Sequence, residues 1–296
     1  MSTRTHDGAA PPRSRRRRLP GRLGRLPVWR TLLVVVVVAL VVVGLLNAVH
    51  RGGGANTSSA SHSAAKDKRT LLGALTGLDP AVVADVGAGG LASPFAAVKD
   101  APALLGAGRR PQVVFLSTEG CGLCAAQRWS MIVALGRFGT LKDLPLAISS
   151  IKDPVGPLAT FSFSNLAYTS KYVDVVAVET ADANGRPLAT LSPADQRVVD
   201  TYDAPPYVPA SAAGGVPWLD IANRYVASGS GYPAKTITNL NWSQIAEKLG
   251  DARDPVAMAV VGNANWITAA ICRVTGMSPS SVCDASAVQD LAKRLG

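Results

Sequence analysis

The hydropathy pattern changes character along the chain. Thr31 to Val49, TLLVVVVVALVVVGLLNAV, is a run of 19 residues without a charge. At 1.5 Å per residue it reaches roughly 30 Å, the thickness of a hydrocarbon core, so it reads as a transmembrane helix over 31–49. The small, polar GGGANTSSASHSAAKDKR that follows has the composition of a flexible tether, 50–69. Beyond it the pattern is that of a folded domain. TLLGALTGLDPAVVADVG and SPFAAVKDAPALL predict short helices, a helical extension over 70–110. PQVVFLS (111–117) reads as a short buried strand. In CGLCAAQRWSMIVALGRFG, Leu123, Trp129, Ile132, Val133, Leu135 and Phe138 recur at helical spacing and predict an amphipathic helix ending near Gly139. LPLAISS (144–150) reads as a second strand, and strand, helix, strand favours a parallel pair with a right-handed crossover. TFSF and YVDVVAVET predict further strands, SPADQRVVDTYD a helix, and VPWLDIA with RYVAS a hairpin. NWSQIAEKLG, DPVAMAVVGNANWITAAICRVTG and DASAVQDLAKRLG close the chain as helices, those beyond residue 250 forming an extension over 251–296. The class is α/β.

Charge changes this picture only at the N-terminus. The formal net charge of +10 suggests a nucleic-acid surface until it is located. Residues 1–30 hold nine arginines against the single acid Asp7, and the rest of the chain carries 21 basic and 19 acidic groups. The domain is near neutral, so a nucleic-acid partner is not expected. Arginines before the apolar run and only His50 and Arg51 close behind it predict a single-pass anchor, a basic cytoplasmic tail over 1–30 and a domain outside the cytoplasm. A cleaved signal peptide fits less well, because the apolar run exceeds the usual 7 to 15 residues of such a region and no clear cleavage site follows.

Cysteine carries the candidate chemistry. Cys121 and Cys124, spaced C-x-x-C, are compatible with a redox pair, half of a metal site or a structural bridge. At the start of a helix the first sulfur sits beside unpaired amides that stabilise a thiolate. A bridge spanning so few residues stabilises little. Zinc needs more ligands, and His6, His50 and His62 all precede the domain, so no metal or other cofactor is expected. The same lack of histidine argues against Ser-His-Asp and Cys-His hydrolases. A redox pair is the favoured reading. Cys272 and Cys283 flank a turn containing Gly276 and Pro279, and a bridge there closes a loop worth about 2–3 kcal/mol, so a structural disulfide is expected. In GGVPWLDI, Pro217 heads a strand that leads into the hairpin.

Strand, C-x-x-C at a helix start, strand, proline loop, hairpin and helix together resemble the thioredoxin fold. More narrowly, CGLCAAQRWSMIVALGRFG, TFSFSNLAYTSKYV, GVPWLDIANRYVASG and NANWITAAICRVTGMSPSSVC resemble a thioredoxin-like family, domain of unknown function 929. The resemblance implies a thioredoxin-like domain over 111–250, with Pro217 as the cis-proline facing the sulfurs. Val216, Glu119 and Trp218 are then candidates for the substrate groove, with Glu119 either a proton shuttle or a turn residue. Ordinary thioredoxin differs: it has Trp where this chain has Gly120 and Gly-Pro where this chain has Gly122-Leu123. The strand VVFLS carries no acid, and the 92 residues between Cys124 and Pro217 imply an insertion at about 150–212.

The expected function is that of a membrane-tethered thiol-disulfide oxidoreductase. Its partners would be protein thiols and disulfides outside the cytoplasm, lipid through 31–49, and an envelope redox partner. The alternative is a non-catalytic thioredoxin-like binding module whose cysteines stay bridged. Protease added to intact cells is expected to remove the domain and spare residues 1–30; a domain protected until lysis would refute this topology.

Overall fold

The computed structural model describes residues 67–295. The basic tail, the apolar run 31–49 and most of the tether lie outside the described residues. The end of the expected tether is already helical, because α1 covers residues 67–76. There follow α2 (Pro80–Val86), β1 (Ala96–Ala97), β2 (Gln112–Ser117), α3 (Gly122–Gly136), β3 (Gly139–Lys142), β4 (Leu146–Ile148), β5 (Ala159–Phe161), β6 (Ala167–Ser170), β7 (Asp174–Glu179), α4 (Pro193–Tyr202), β8 (Trp218–Ile221) and β9 (Tyr225–Ser228). A 3-10 turn at Ala234–Ile237 leads to α5 (Trp242–Lys248), α6 (Pro255–Val274), α7 (Ser280–Cys283) and α8 (Ser286–Arg294). Helix starts carry local signals: Ser192 caps α4 and Asp254 caps α6, each followed by proline, and Asn241 and Gln244 form a capping box on α5.

The fold is mixed α/β around a five-stranded mixed sheet, ordered β1-β9-β8-β2-β7. β2 is parallel to β7 and antiparallel to β8, and β9 and β1 follow antiparallel. All six residues of β2 are buried, as a central strand covered on both faces requires. Its side chains alternate between two cores. Val113 and Phe115 join α3 and α6 on one face, while Val114 and Leu116 join Val199 and Tyr202 of α4 on the other. Helix α6 is long and apolar enough to cross a membrane by composition, with mean hydropathy 1.4, yet 89% of that window is buried inside the protein. It packs along α3, where Ser130 Oγ donates to the Val260 carbonyl at 2.8 Å. The Cys272 and Cys283 sulfurs lie at bonding distance at the far end of α6, with Cα atoms 5.6 Å apart.

Two expectations are corrected. The strand parallel to β2 is β7, not the stretch 144–150. That stretch forms β4, which pairs antiparallel with β5 in a separate two-stranded sheet; β3 and β6 form another. β7 offers Val175, Val176, Ala177 and Val178 in one run and so makes the better sheet partner. The stretch 150–212 contains β7 and α4, both of which pack in the main body, and the two-stranded sheets lie between residues 139 and 170. Finally, SPFAAVKDAPALL is not helical. Pro94 and Pro102 keep it extended along the sheet, where β1 pairs with β9 and the amides of Val98 and Leu104 donate to the carbonyls of Arg224 and Ala222.

Asp220 on β8 is fully buried beside Trp218, with Oδ1 accepting from the Asn223 amide at 2.9 Å and Oδ2 without a partner. Burial pushes its pKa up to about 7. A raised acid pKa means that the native state holds a proton the unfolded chain has released, so stability falls as pH rises from about 4 to about 7. Chemical denaturation of Asp220→Asn is expected to lose much of that slope, its difference from wild type growing across this window and levelling above it. Parallel pH profiles for the two proteins would exclude a buried, protonating Asp220.

Candidate functional site

The site is assembled where β2 ends. Its backbone turns through Thr118, Glu119 and Gly120, and Cys121 becomes the N-cap of α3. Cys121 Sγ accepts from the Cys124 amide at 3.0 Å, so the sulfur satisfies a donor that the first helical turn leaves open. No acidic residue lies in that turn to oppose negative charge on the sulfur. The two sulfurs lie at bonding distance, with Cα atoms 5.1 Å apart; Cys124 is fully buried and Cys121 half-buried.

Across from them is the head of β8. The Val216–Pro217 bond is cis, and the Val216 carbonyl oxygen lies 3.7 Å from Cys121 Sγ. Val216 is half-buried and Pro217 buried. Trp218 does not belong to the groove. It is 0% exposed in the core facing α4, because β8 turns it inward against Val114 and Leu116. Cys272 and Cys283 belong to the α6 side of the core and are absent from the lining of the cavity at Cys121.

That cavity has a volume of about 750 Å³ and is walled by two loops. One is 149–154, which follows β4; the other is 181–185, which follows β7. Backbone hydrogen bonds fasten both to the cysteine turn: the Ser150 amide donates to the Gly120 carbonyl at 2.9 Å and the Glu119 amide to the Ala181 carbonyl at 3.0 Å. Asp153 explains the glycine of C-G-L-C, since a Cβ at Gly122 would lie 2.5 Å from Asp153 Oδ1 and 2.9 Å from Val155 Cβ. Glu119 points its carboxylate at the Ser162 hydroxyl, which donates to it, so its nearest partner is a serine just past β5 and not a cysteine.

Sequence reasoning missed the polar pair under the motif. Arg128, one helical turn past Cys124, is fully buried and grips Glu179 at the end of β7, Nε to Oε1 at 2.8 Å and Nη2 to Oε2 at 2.7 Å. Nη2 also donates to the Thr118 carbonyl at 2.7 Å, and Glu179 Oε1 accepts from the Phe163 amide at 3.2 Å. The pair thus ties α3, β7 and the cysteine turn together. Its one sequence signal is a charge inside a helix face that is otherwise apolar. Among the described residues no group of three or more candidate ligands could hold a metal.

Removing one partner would strand the other charge in the core. Arg128→Met is expected to lower stability by about 3–5 kcal/mol, and adding Glu179→Leu to recover most of that loss. Urea denaturation measures both; a single variant as stable as wild type would mean that the pair is not buried as described.

No curated protein and no solved structure matches the chain. A family model does, over residues 97–273, a span that includes both cysteines of the motif, Pro217 and the buried Arg128–Glu179 pair. With more than half of its length matched, the chain belongs to that family, described as a domain of unknown function (DUF929).

Proposed function

We propose that this protein is a thioredoxin-like thiol-disulfide oxidoreductase, tethered to the membrane by 31–49 and acting on protein thiols and disulfides outside the cytoplasm. The observation that carries the reading is the approach of Val216–cis-Pro217 to Cys121, 3.7 Å between oxygen and sulfur across 95 positions of sequence. The order of elements supports it: a parallel β2-α3-β7 unit, then α4, then the antiparallel β8-β9 hairpin, with the cysteines at the head of α3 and the cis-proline at the head of β8. The apolar run and its arginine flank support the tether.

The chemistry follows from unequal exposure. With both cysteines reduced, the Cys121 thiolate is favoured by the helix amides and is the sulfur a client can reach. It attacks a client disulfide, forming a Cys121–client bond and releasing one client thiolate. Cys124, buried beside it, then attacks Cys121 Sγ, closing the Cys121–Cys124 bridge and releasing the second client thiolate. Run backwards from the bridged form, the same steps oxidise a client dithiol. The reduction potential of the pair decides the direction.

Cys121→Ser is expected to abolish disulfide exchange with a protein substrate, while Cys124→Ser accumulates a mixed disulfide at Cys121, visible as a mass shift on non-reducing gels. Wild-type turnover by Cys121→Ser would sink the reading.

A further inference from the structure

The wall of the cavity at Cys121 continues into an unprotected strand edge. β4 pairs with β5 in a two-stranded sheet, with no third strand among the described residues. The outer side of β5 is covered, since the Ala159 carbonyl there accepts from Trp129 Nε1 at 2.9 Å. Among the described residues the outer side of β4 is not. The Ser149 amide donates to the Leu158 carbonyl and the Ser162 amide to the Pro145 carbonyl, which fixes 149/158 and 145/162 as hydrogen-bonded pairs. Antiparallel ladders alternate, so 147/160 is the next such pair and the peptide groups of Leu146 and Ile148 point away from β5. Pro145, whose ring would blunt an edge, lies in the row that faces β5 and leaves the outer row open.

Apolar side chains accompany those open groups. Leu146 is 44% exposed, Ile148 52% and Ile151 81%. Open edges flanked by exposed aliphatic residues invite strand addition and are ordinarily covered or charged. This one runs straight into the redox site: two residues past Ile148, about 7 Å of extended chain, the Ser150 amide is bonded to Gly120 beside Cys121.

Resting on the thiol-exchange reading above, we propose that the outer edge of β4 takes up an extended apolar segment of an incompletely folded polypeptide by strand addition and delivers a cysteine on that segment to Cys121. Only an extended backbone offers donors and acceptors at the spacing of the open row. Folded clients have such groups paired already, and small thiols lack them. The recruiting surface is distinct from the backbone of Val216: it is supplied by the sheet inserted between α3 and β7.

The test compares two disulfides on the full chain solubilised in detergent. One is a peptide of alternating valine and threonine whose single cysteine is capped by a small thiol; the other is 5,5′-dithiobis(2-nitrobenzoate), which has no backbone to pair. Ile148→Pro removes one outward amide and leaves the bonds to β5 in place, and Leu146→Thr shortens an aliphatic contact while keeping strand propensity. Both are expected to lower kcat/KM for the peptide by about tenfold, the size of one lost aliphatic contact, with exchange of the small disulfide unchanged. Unchanged peptide rates in both variants overturn the proposal and leave the oxidoreductase reading standing. Absence of all exchange in wild type sinks the oxidoreductase reading instead. Strand addition is then read from the binding of a cysteine-free labelled peptide to Cys121→Ser, and equal anisotropy titrations with and without Ile148→Pro overturn it. A concentration-dependent dimer lost in Ile148→Pro assigns the edge to a second copy and overturns it as well.

Discussion

The buried ion pair between Arg128 and Glu179 is the interaction on which the candidate site depends. Two charges taken fully out of water are costly, and the cost is offset only when their hydrogen-bonding capacity is largely used. Here Nε and Nη2 of the guanidinium engage both carboxylate oxygens and the Thr118 carbonyl and the carboxylate also accepts the Phe163 amide, while Arg128 Nη1 is buried without a hydrogen-bond partner among the described residues. Because those partners sit on α3, β7, the cysteine turn and the chain leaving β5, satisfying the pair requires all of them in register. The same geometry holds the turn that presents Cys121.

Around that anchor the two cores divide the work. The face shared by α3 and α6 is large and mostly apolar, crossed by buried hydrogen bonds from Asn263 to Gln127 and from Ser130 to the Val260 carbonyl, and it fixes the axis of α3 and hence the direction of its N-terminus. The smaller face under α4 contains Trp218 and the protonating Asp220, both on β8 immediately after the cis-proline. Cys121 and Val216 meet because β2 and β8 are neighbours in the sheet, Leu116 opposite Trp218, so the loops that precede α3 and β8 emerge at one end of it. The cysteine spacing places two sulfurs at one helix start, and strand adjacency supplies the approach of the carbonyl.

Much of this was legible from local sequence. The helix after Cys121 was readable from apolar periodicity, the β8-β9 hairpin from two short apolar runs almost in contact, and α6 from its length and its Asp-Pro start. The extended path of residues 94–106 was only partly so: Pro94 and Pro102 disfavour a helix, but alanine and leucine favour one between them, and the pairing of β1 with β9 decides the outcome. The parallel partner of β2 was not. Periodicity marks both 144–150 and 172–180 as strands, and nearness in sequence favoured the first although the second carries the longer β-branched run.

What the sequence by itself determined are the features set within a few residues: the C-x-x-C at a helix start, the capped helices, the hairpin, the apolar run of 31–49 and its arginine flank. Tertiary structure alone decided the pairing of β2 with β7, the burial of Trp218, the salt bridge joining residues 128 and 179, and the loops that wall the cavity at Cys121. The physical reason is range. Helix propensity, capping and turns depend on neighbours along the chain, whereas strand partners, ion-pair partners and cavity walls depend on groups tens of residues apart whose meeting is fixed by how both cores close. A charge at position 128 reads as an anomaly on a helix until the acid at 179 is seen across from it.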